Sequence, residues 1–389
     1  MTPIPYSLTI PEAKITDLKA RLALTRFPDQ APDAPWAYGA DLGFMKELVE
    51  YWQNRFDWRA AEARLNAFPN YMVEIDGTPI HFLHVPGKGP NPKPLFLSHG
   101  WPGSVFEFLD LIPRLTDPAA FGGDPADAVT VVAPSLPGFG LSFRPGMKRL
   151  GFAEMSATLR KLMTDVLGYE RYGLQGGDWG AFITTRMAVD DPDRVIALHL
   201  NMLTIPAFKR SETPTEEERA FYEGIAHFQA EETGYFKIQA TKPQTLAFAL
   251  TDSPAGLAAW IVEKFRTWTD CDGDVLSVLS MDQMLEGISF YWFTEAIGSS
   301  FWLYYARQHG RHPISEVGDV TVPMGFAAFP KEISHPPRAV AELLFKDIRR
   351  WSRMERGGHF AAMEQPAALA AEVTALLRDV DAARACSHG

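Results

Sequence analysis

The chain has 389 residues, 46% hydrophobic and 12% aromatic, enough to bury a large core as one domain with insertions or as two domains. A formal net charge of −11 argues against a nucleic-acid partner, which would need clustered Lys and Arg to neutralise phosphates. Two distant cysteines, Cys271 and Cys386, form neither a disulfide framework nor a zinc site, and no stretch approaches ~18 uninterrupted apolar residues, so a cytoplasmic protein without membrane anchor, metal or cofactor is expected.

Residues 1–75 are rich in polar helix formers and tryptophan. Ile10-Pro11-Glu12 opens a predicted helix that runs over 15–24, a second amphipathic stretch covers 44–52, and no catalytic pattern appears. Short apolar strands then alternate with helices. Residues 73–75, 80–84, 95–97 and 129–133 read as strands; 154–167 reads as a helix with Gly168 as its C-cap. A strand at 171–175, a helix at 181–188 and a strand at 196–200 follow. This alternation predicts the α/β class: a mostly parallel central sheet flanked by helices. Residues 206–312 lose the strand texture, become aromatic and helical, and read as an inserted cap. Strand texture returns at 320–328 and 348–354, and an amphipathic helix over 366–378 closes the chain. The expected divisions are therefore 1–75, 76–205, 206–312 and 313–389.

Gly176-Gly177-Asp178-Trp179-Gly180 lies between a predicted strand and a predicted helix. It has the Gly-x-nucleophile-x-Gly form of an elbow, with aspartate where esterases carry serine. A serine must lose a proton before it attacks, whereas a carboxylate of ordinary pKa ~3.9 is already an anion at neutral pH. Attack on an acyl carbon would give only an anhydride. The natural target is a strained or activated sp3 carbon, an epoxide or an alkyl halide. Ser98-His99-Gly100-Trp101-Pro102-Gly103-Ser104 follows the strand at 95–97 as a sharp turn. Its Trp101 N–H, with the Trp179 N–H after the nucleophile, is a candidate oxyanion hole. Phe329-Pro330-Lys331-Glu332 follows the next strand region, and Arg356-Gly357-Gly358-His359-Phe360 the one after. Nucleophile, acid and base thus stand in the chain order of α/β-hydrolases. The rival acids Asp319 and Asp347 lie before a strand and after a helix, not at a strand's C-terminal end.

The elbow, His-Gly-Trp-Pro-Gly-Ser at 99–104, Gly-Gly-His-Phe-Ala-Ala at 357–362 and Gly-Tyr-Phe-Lys-Ile-Gln-Ala-Thr-Lys-Pro at 234–243 together resemble the microsomal-type epoxide hydrolases, including the juvenile hormone epoxide hydrolases. Tyr51-Trp52-Gln53-Asn54-Arg55-Phe56-Asp57-Trp58-Arg59 is similar to that family's N-terminal meander, so the resemblance covers nearly the whole chain. It implies an α/β-hydrolase fold with a helical cap and a meander wrapping the core. Membrane-bound members carry a hydrophobic anchor ahead of the meander; the chain begins at the meander, which implies a soluble enzyme.

The resemblance further implies two cap tyrosines that hold the epoxide oxygen. Tyr235 is the first, and Tyr304, placed by its spacing from Ser299-Ser300, the second, with the adjacent Tyr305 left open. Asp178 would form an alkyl ester, and His359, oriented by Glu332, would activate the water that releases a vicinal diol. Lipophilic epoxides are the implied substrates, in a pocket shaped by cap aromatics such as Phe228, Phe290, Trp292 and Phe301, and a homodimer through cap or meander is an analogy to relatives. A haloalkane dehalogenase shares the aspartate but would use weak donors such as indole N–H. A non-catalytic ligand binder such as a hormone receptor is the alternative outside enzymes.

Other signals read as structural. Asp270-Cys271-Asp272-Gly273-Asp274 has its glycine too early for an EF-hand and reads as a solvated loop. His81 and His84 do not share a strand face and read as structural histidines. Pro137-Gly138-Phe139-Gly140 lacks the spacing of a nucleotide loop. His99 reads as support for its own turn rather than as a second base.

Overall fold

The computed structural model describes residues 1–32, 35–203, 213–310 and 318–387. One sheet organises them. Its strands are β1 (Ile4–Tyr6), β2 (Asn70–Ile75), β3 (Thr78–Val85), β4 (Lys93–Ser98), β5 (Val129–Pro134), β6 (Tyr172–Gly176), β7 (Val195–Leu200), β8 (Met324–Ala328) and β9 (Ile348–Arg353). The order across the sheet is β1-β2-β3-β5-β4-β6-β7-β8-β9. From β5 to β9 every pairing is parallel. β5 and β7 are buried along their whole length, as expected of strands covered on both faces.

The other end of the sheet is antiparallel, a feature not anticipated from the alternation. Its local cause is the dipeptide Asp76-Gly77, both with positive φ (50° and 77°), which folds β2 and β3 into a hairpin. β1 escaped sequence reading because it is three residues long and contains a proline, which an edge position tolerates. The strand expected over 320–328 begins only at Met324, since Pro323 has no N–H for the ladder, and Val320 instead forms an isolated bridge with Phe345. The helix expected over 154–167 forms as Phe152–Lys161, widens into a π turn at Leu162–Val166 and stops before Gly168, which has φ 73°.

Between β7 and β8 the described residues form helices and no strand, as expected for 206–312. The boundaries expected at 205/206 and 312/313 both lie outside the described residues. The N-terminal helices strap this insertion to the sheet. Trp58 packs on Phe293 at 4.8 Å between ring centroids, and Arg64 bridges Glu286 of the helix Met281–Thr294 at 2.6 Å and Asp110 at 2.7 Å. From that helix Tyr291 donates its hydroxyl to the Gly103 carbonyl at 2.8 Å, fixing the turn after β4. Among the described residues, no single helix is long and apolar enough to cross a membrane.

Candidate active site

All the candidate residues on the core lie beyond the C-terminal ends of parallel strands, where open α/β sheets gather their sites. Asp178 follows β6 directly and opens the helix Asp178–Asp190 with φ 48°, a left-handed conformation that a non-glycine residue holds only under tertiary constraint. The constraint is steric. A Cβ at Gly180 would stand 2.1 Å from the Ser98 carbonyl, and one at Gly176 would stand 2.5 Å from the Gly180 carbonyl, so only glycines let the helix close onto β4. Asp178 Oδ1 accepts the Trp101 N–H at 2.7 Å. Trp179 N–H, at the same helix N-terminus, is one of the orphan donors of a first turn and makes no hydrogen bond to the carboxylate. His99 supports the turn as expected: Nδ1 donates to the Gly100 carbonyl at 2.9 Å and Nε2 accepts the Leu136 N–H at 3.1 Å. Burial lowers its pKa to about 4, keeping it neutral for that arrangement.

His359 lies between two carboxylates. Its Nε2 is 3.5 Å from Asp178 Oδ2, and its Nδ1 is 2.6 Å from Glu332 Oε1. Glu332 follows β8, is 3% exposed and also accepts the Ile333 N–H at 2.7 Å. Burial opposes protonation of His359, but the charges of Glu332 and Asp178 prevail and hold its pKa well above the ordinary value. The rival acids are spent elsewhere: Asp319 lies 3.6 Å from Lys346, and Asp347 pairs with Arg349.

Tyr235 and Tyr304 come from different helices, Gly234–Thr241 and Trp302–His309, yet their rings lie 5.8 Å apart and both line one pocket with Asp178. Trp101 stacks on Tyr235 at 5.3 Å and 9°, and Trp179 meets Tyr304 edge-on at 4.9 Å. The Tyr304 hydroxyl is buried and makes no well-formed hydrogen bond, with the Tyr235 hydroxyl and the Trp179 side chain as its polar neighbours. Burial raises both phenols above their ordinary pKa and the charge of Asp178 adds to it, so both stay protonated donors. Tyr305, the neighbour left open by spacing, stacks on Trp302 and His309 and lines a different pocket. The pocket in front of Asp178 has a volume of about 600 Å3, within the range of small-molecule sites. Of the four aromatics expected to shape it, only Phe228 does; Phe290 and Phe301 are buried in the core, and Trp292 lines a groove against the N-terminal helix.

Behind Asp178 is a second, smaller cavity of about 30 Å3, lined among others by Glu107, Asn201 and His359. Sequence reading missed Glu107. It caps its own turn through Ser104 N–H at 3.1 Å, and Gly103 is what makes room for its carboxyl group, since a Cβ there would overlap Glu107 Oε1. Burial, with a contribution from Asp178 and opposed by His359, pushes its pKa up to about 8. A glutamate three residues after a serine was legible as a capping box, but its direction was not.

The loop 270–274 is more than the solvated loop it resembled. Asp270 Oδ2 accepts the Gly357 N–H at 2.8 Å and the Trp268 carbonyl accepts the His359 N–H at 2.8 Å, so it clamps the histidine loop. Asp272 and Asp274 are exposed, and no group of His, Cys, Asp or Glu among the described residues could hold a metal. His81 is buried between Ser135 at 3.0 Å and Asn70 at 2.9 Å, and His84 bonds the Tyr169 hydroxyl at 2.7 Å, both structural.

Comparison with known proteins agrees with this architecture. Residues 3–108 match the family model described as epoxide hydrolase N terminus, and residues 93–250 match that of the alpha/beta hydrolase fold. Epoxide hydrolase 1 of Oryctolagus cuniculus is 37% identical, over 95% of this chain and 87% of its own length. Juvenile hormone epoxide hydrolase from the silkworm Bombyx mori superposes with a TM-score of 0.90 at 32% identity, covering 98% of this chain and 95% of that one. Aspergillus niger epoxide hydrolase superposes with a TM-score of 0.85 at 31% identity, covering 98% and 97%. The chain belongs to the epoxide hydrolase family and has its α/β-hydrolase fold.

Proposed function

We propose that this epoxide hydrolase opens its substrate through a covalent ester on Asp178, with Tyr235 and Tyr304 as proton donors and the His359–Glu332 pair as the base. The observation that carries this reading is the meeting of one carboxylate with two protonated phenols on one side and an imidazole on the other. Trp101 N–H occupies Oδ1, leaving Oδ2 as the attacking atom. The C–O bond of the oxirane breaks as the new ester bond forms, and the developing alkoxide takes a phenolic proton.

The ester carbonyl then has Oδ1 already seated on Trp101 N–H, and the Trp179 N–H, unpaired at the helix N-terminus, would be the second donor to an oxyanion. A water held in the 30 Å3 cavity, large enough for one or two, would lie between His359, Glu107 and Asn201. His359, protonated in the free enzyme, first returns its proton to the phenolate and then, as a neutral imidazole, takes one proton from water as the hydroxide adds to Cγ. The leaving alkoxide takes a proton from the new carboxyl group, so epoxide and water become diol with the phenol, the imidazolium and the Asp178 carboxylate restored. A lipophilic substrate suits a pocket walled by Phe182, Met202, Leu203, Phe221 and Phe236. The dehalogenase reading has less to support it, since it leaves two buried phenols at the nucleophile without a task.

The helical insertion acts as the cap in this proposal, with the divisions 1–75, 76–205, 206–312 and 313–389. A cytoplasmic setting follows from the cysteine content, of which Cys271 is a free buried thiol, and a homodimer follows from resemblance alone. The test is to trap the ester. In His359→Gln, mixing with a styrene-type epoxide should add the full mass of the epoxide to the protein while steady turnover falls about 10²–10⁴-fold. An unmodified mass, or full turnover in Asp178→Asn, would sink the covalent route.

A further inference from the structure

The pocket in front of Asp178 holds charges that hydrolysis of a neutral epoxide does not use. Arg307 lies one helical turn after Tyr304, so the two share a helix face. Its guanidinium packs 5.2 Å from the Phe182 ring, 5.5 Å from Phe236 and 5.9 Å from Trp179, at the wall of the same pocket as Asp178 and the two tyrosines. Among the described residues Arg307 makes no ion pair and no hydrogen bond, although it remains exposed to the pocket's open space. Lys237, on the same pocket wall, has no ion pair either. The contrast is Lys264, over the Tyr235 ring at 4.8 Å, which is paired with Glu263 at 2.5 Å. Asp178 is the only acid among the described residues of the pocket lining, and it stands at the base with Trp101 and His359.

Stacking on aromatic faces fixes a guanidinium and leaves its edge N–H donors free, in a fork that matches a carboxylate. Resting on the epoxide reading above, we propose that Arg307 selects epoxides that carry a carboxylate on an alkyl or aryl arm, binding the anion while the oxirane meets Asp178 and the two phenols. The opposite arrangement is disfavoured, because a carboxylate at the base would face the charge of Asp178. The preferred substrate is therefore amphiphilic, with an apolar body and an acid at one end.

The test compares kcat/KM for a series of epoxyalkanoic acids of different chain length with that for their methyl esters. A charge-assisted pair predicts an acid-over-ester ratio of about 10–100 at the best length, expressed mainly in KM and shrinking as salt is raised. In Arg307→Gln the ratio should fall to one or below, and Arg307→Lys should keep part of it. A ratio at or below one at every length in the unmodified enzyme, or one that survives in Arg307→Gln, would overturn the assignment. Should Arg307→Gln not fold, calorimetric binding of a saturated fatty acid and its primary amide to the unmodified enzyme decides: tighter acid binding supports the proposal, equal or weaker acid binding refutes it. If neither the acids nor their methyl esters are converted to diols, the epoxide reading fails instead, and the binding comparison still reads the anion site.

Discussion

Tyr304→Phe separates chemistry from packing. Tyr304 is 1% exposed, and its ring meets Trp101, Trp179, Tyr235 and Phe236 edge-on at 5.9, 4.9, 5.8 and 5.1 Å, contacts that phenylalanine keeps. What phenylalanine removes is a buried hydroxyl that makes no well-formed hydrogen bond, only poorly aligned approaches to the Tyr235 hydroxyl and the Trp179 side chain. Such a group costs about 1–3 kcal/mol, so the variant should be more stable by roughly that amount. With an unfolding entropy of about 2.1 cal/mol/K per residue, 389 residues lose about 0.8 kcal/mol for each degree, and Tm should rise by about 1–4 °C. The same change deletes one of two donors to the alkoxide, and a donor in a preorganised, desolvated site contributes about 10²–10³ in rate. Single-turnover alkylation, followed by tryptophan fluorescence because Trp101 and Trp179 touch the ring, should slow by that factor while scanning calorimetry shows the higher Tm. Tyr305→Phe is the control and should leave alkylation unaltered. A slow variant with a lower Tm would mean that packing, not proton donation, was lost; an unaltered alkylation rate would remove Tyr304 from the mechanism.

Two further outcomes follow from the loops around Asp178. In Gly358→Ala the new Cβ would stand 2.4 Å from the Trp268 carbonyl, so the loop must lift and carry His359 away from Asp178; rapid-quench kinetics should show ester formation outpacing its hydrolysis by a wider margin than in the unmodified enzyme, with a lower Tm. Glu107 holds its proton in the folded state up to about pH 8 but releases it near 4.5 when unfolded, so the native state binds more protons across that window and stability falls as pH rises through it, by about 1.4 kcal/mol for each pH unit. Glu107→Gln should remove this slope, roughly 2 °C of Tm for each unit between pH 5 and 8, and equal slopes in the two proteins would show that the carboxyl group does not titrate there.

Legibility in the sequence follows how local each feature's cause is. The elbow was legible because its requirements are packed into five residues, and β5 and β7 were legible because strands covered on both faces are apolar throughout. The hairpin of β2 and β3 had an equally local signal in Asp76-Gly77, hidden by the expectation that every strand belonged to the alternating series. By contrast, Asp270 looked like a member of an acidic surface run because its partner, Gly357, is 87 residues away. Glu107 and Arg307 have the same difficulty. Each is ordinary within its own turn or helix and acquires meaning only where another element brings it to Asp178. The exclusion of Tyr305 likewise needed the helix Trp302–His309 to be docked, since adjacent residues on a helix point about 100° apart and spacing cannot say which one faces inward.

The charge of Asp178 links the two halves of the proposed reaction. In the free enzyme it adds to burial in raising both phenols, and with Glu332 it overcomes burial to hold the proton on His359. Forming the ester abolishes that charge. The phenols then become more acidic at the moment when the alkoxide needs a proton, and His359, left with one carboxylate instead of two, gives up its proton more readily and becomes a base when a base is first required. Before alkylation an imidazolium at 3.5 Å is a poor base, so water in the small cavity is not activated while the carboxylate is free to meet an epoxide. No lid or loop need move to order the two steps. The nucleophile's own neutralisation does it, which explains why one half-buried aspartate is placed in contact with both proton-transfer groups rather than shielded from either.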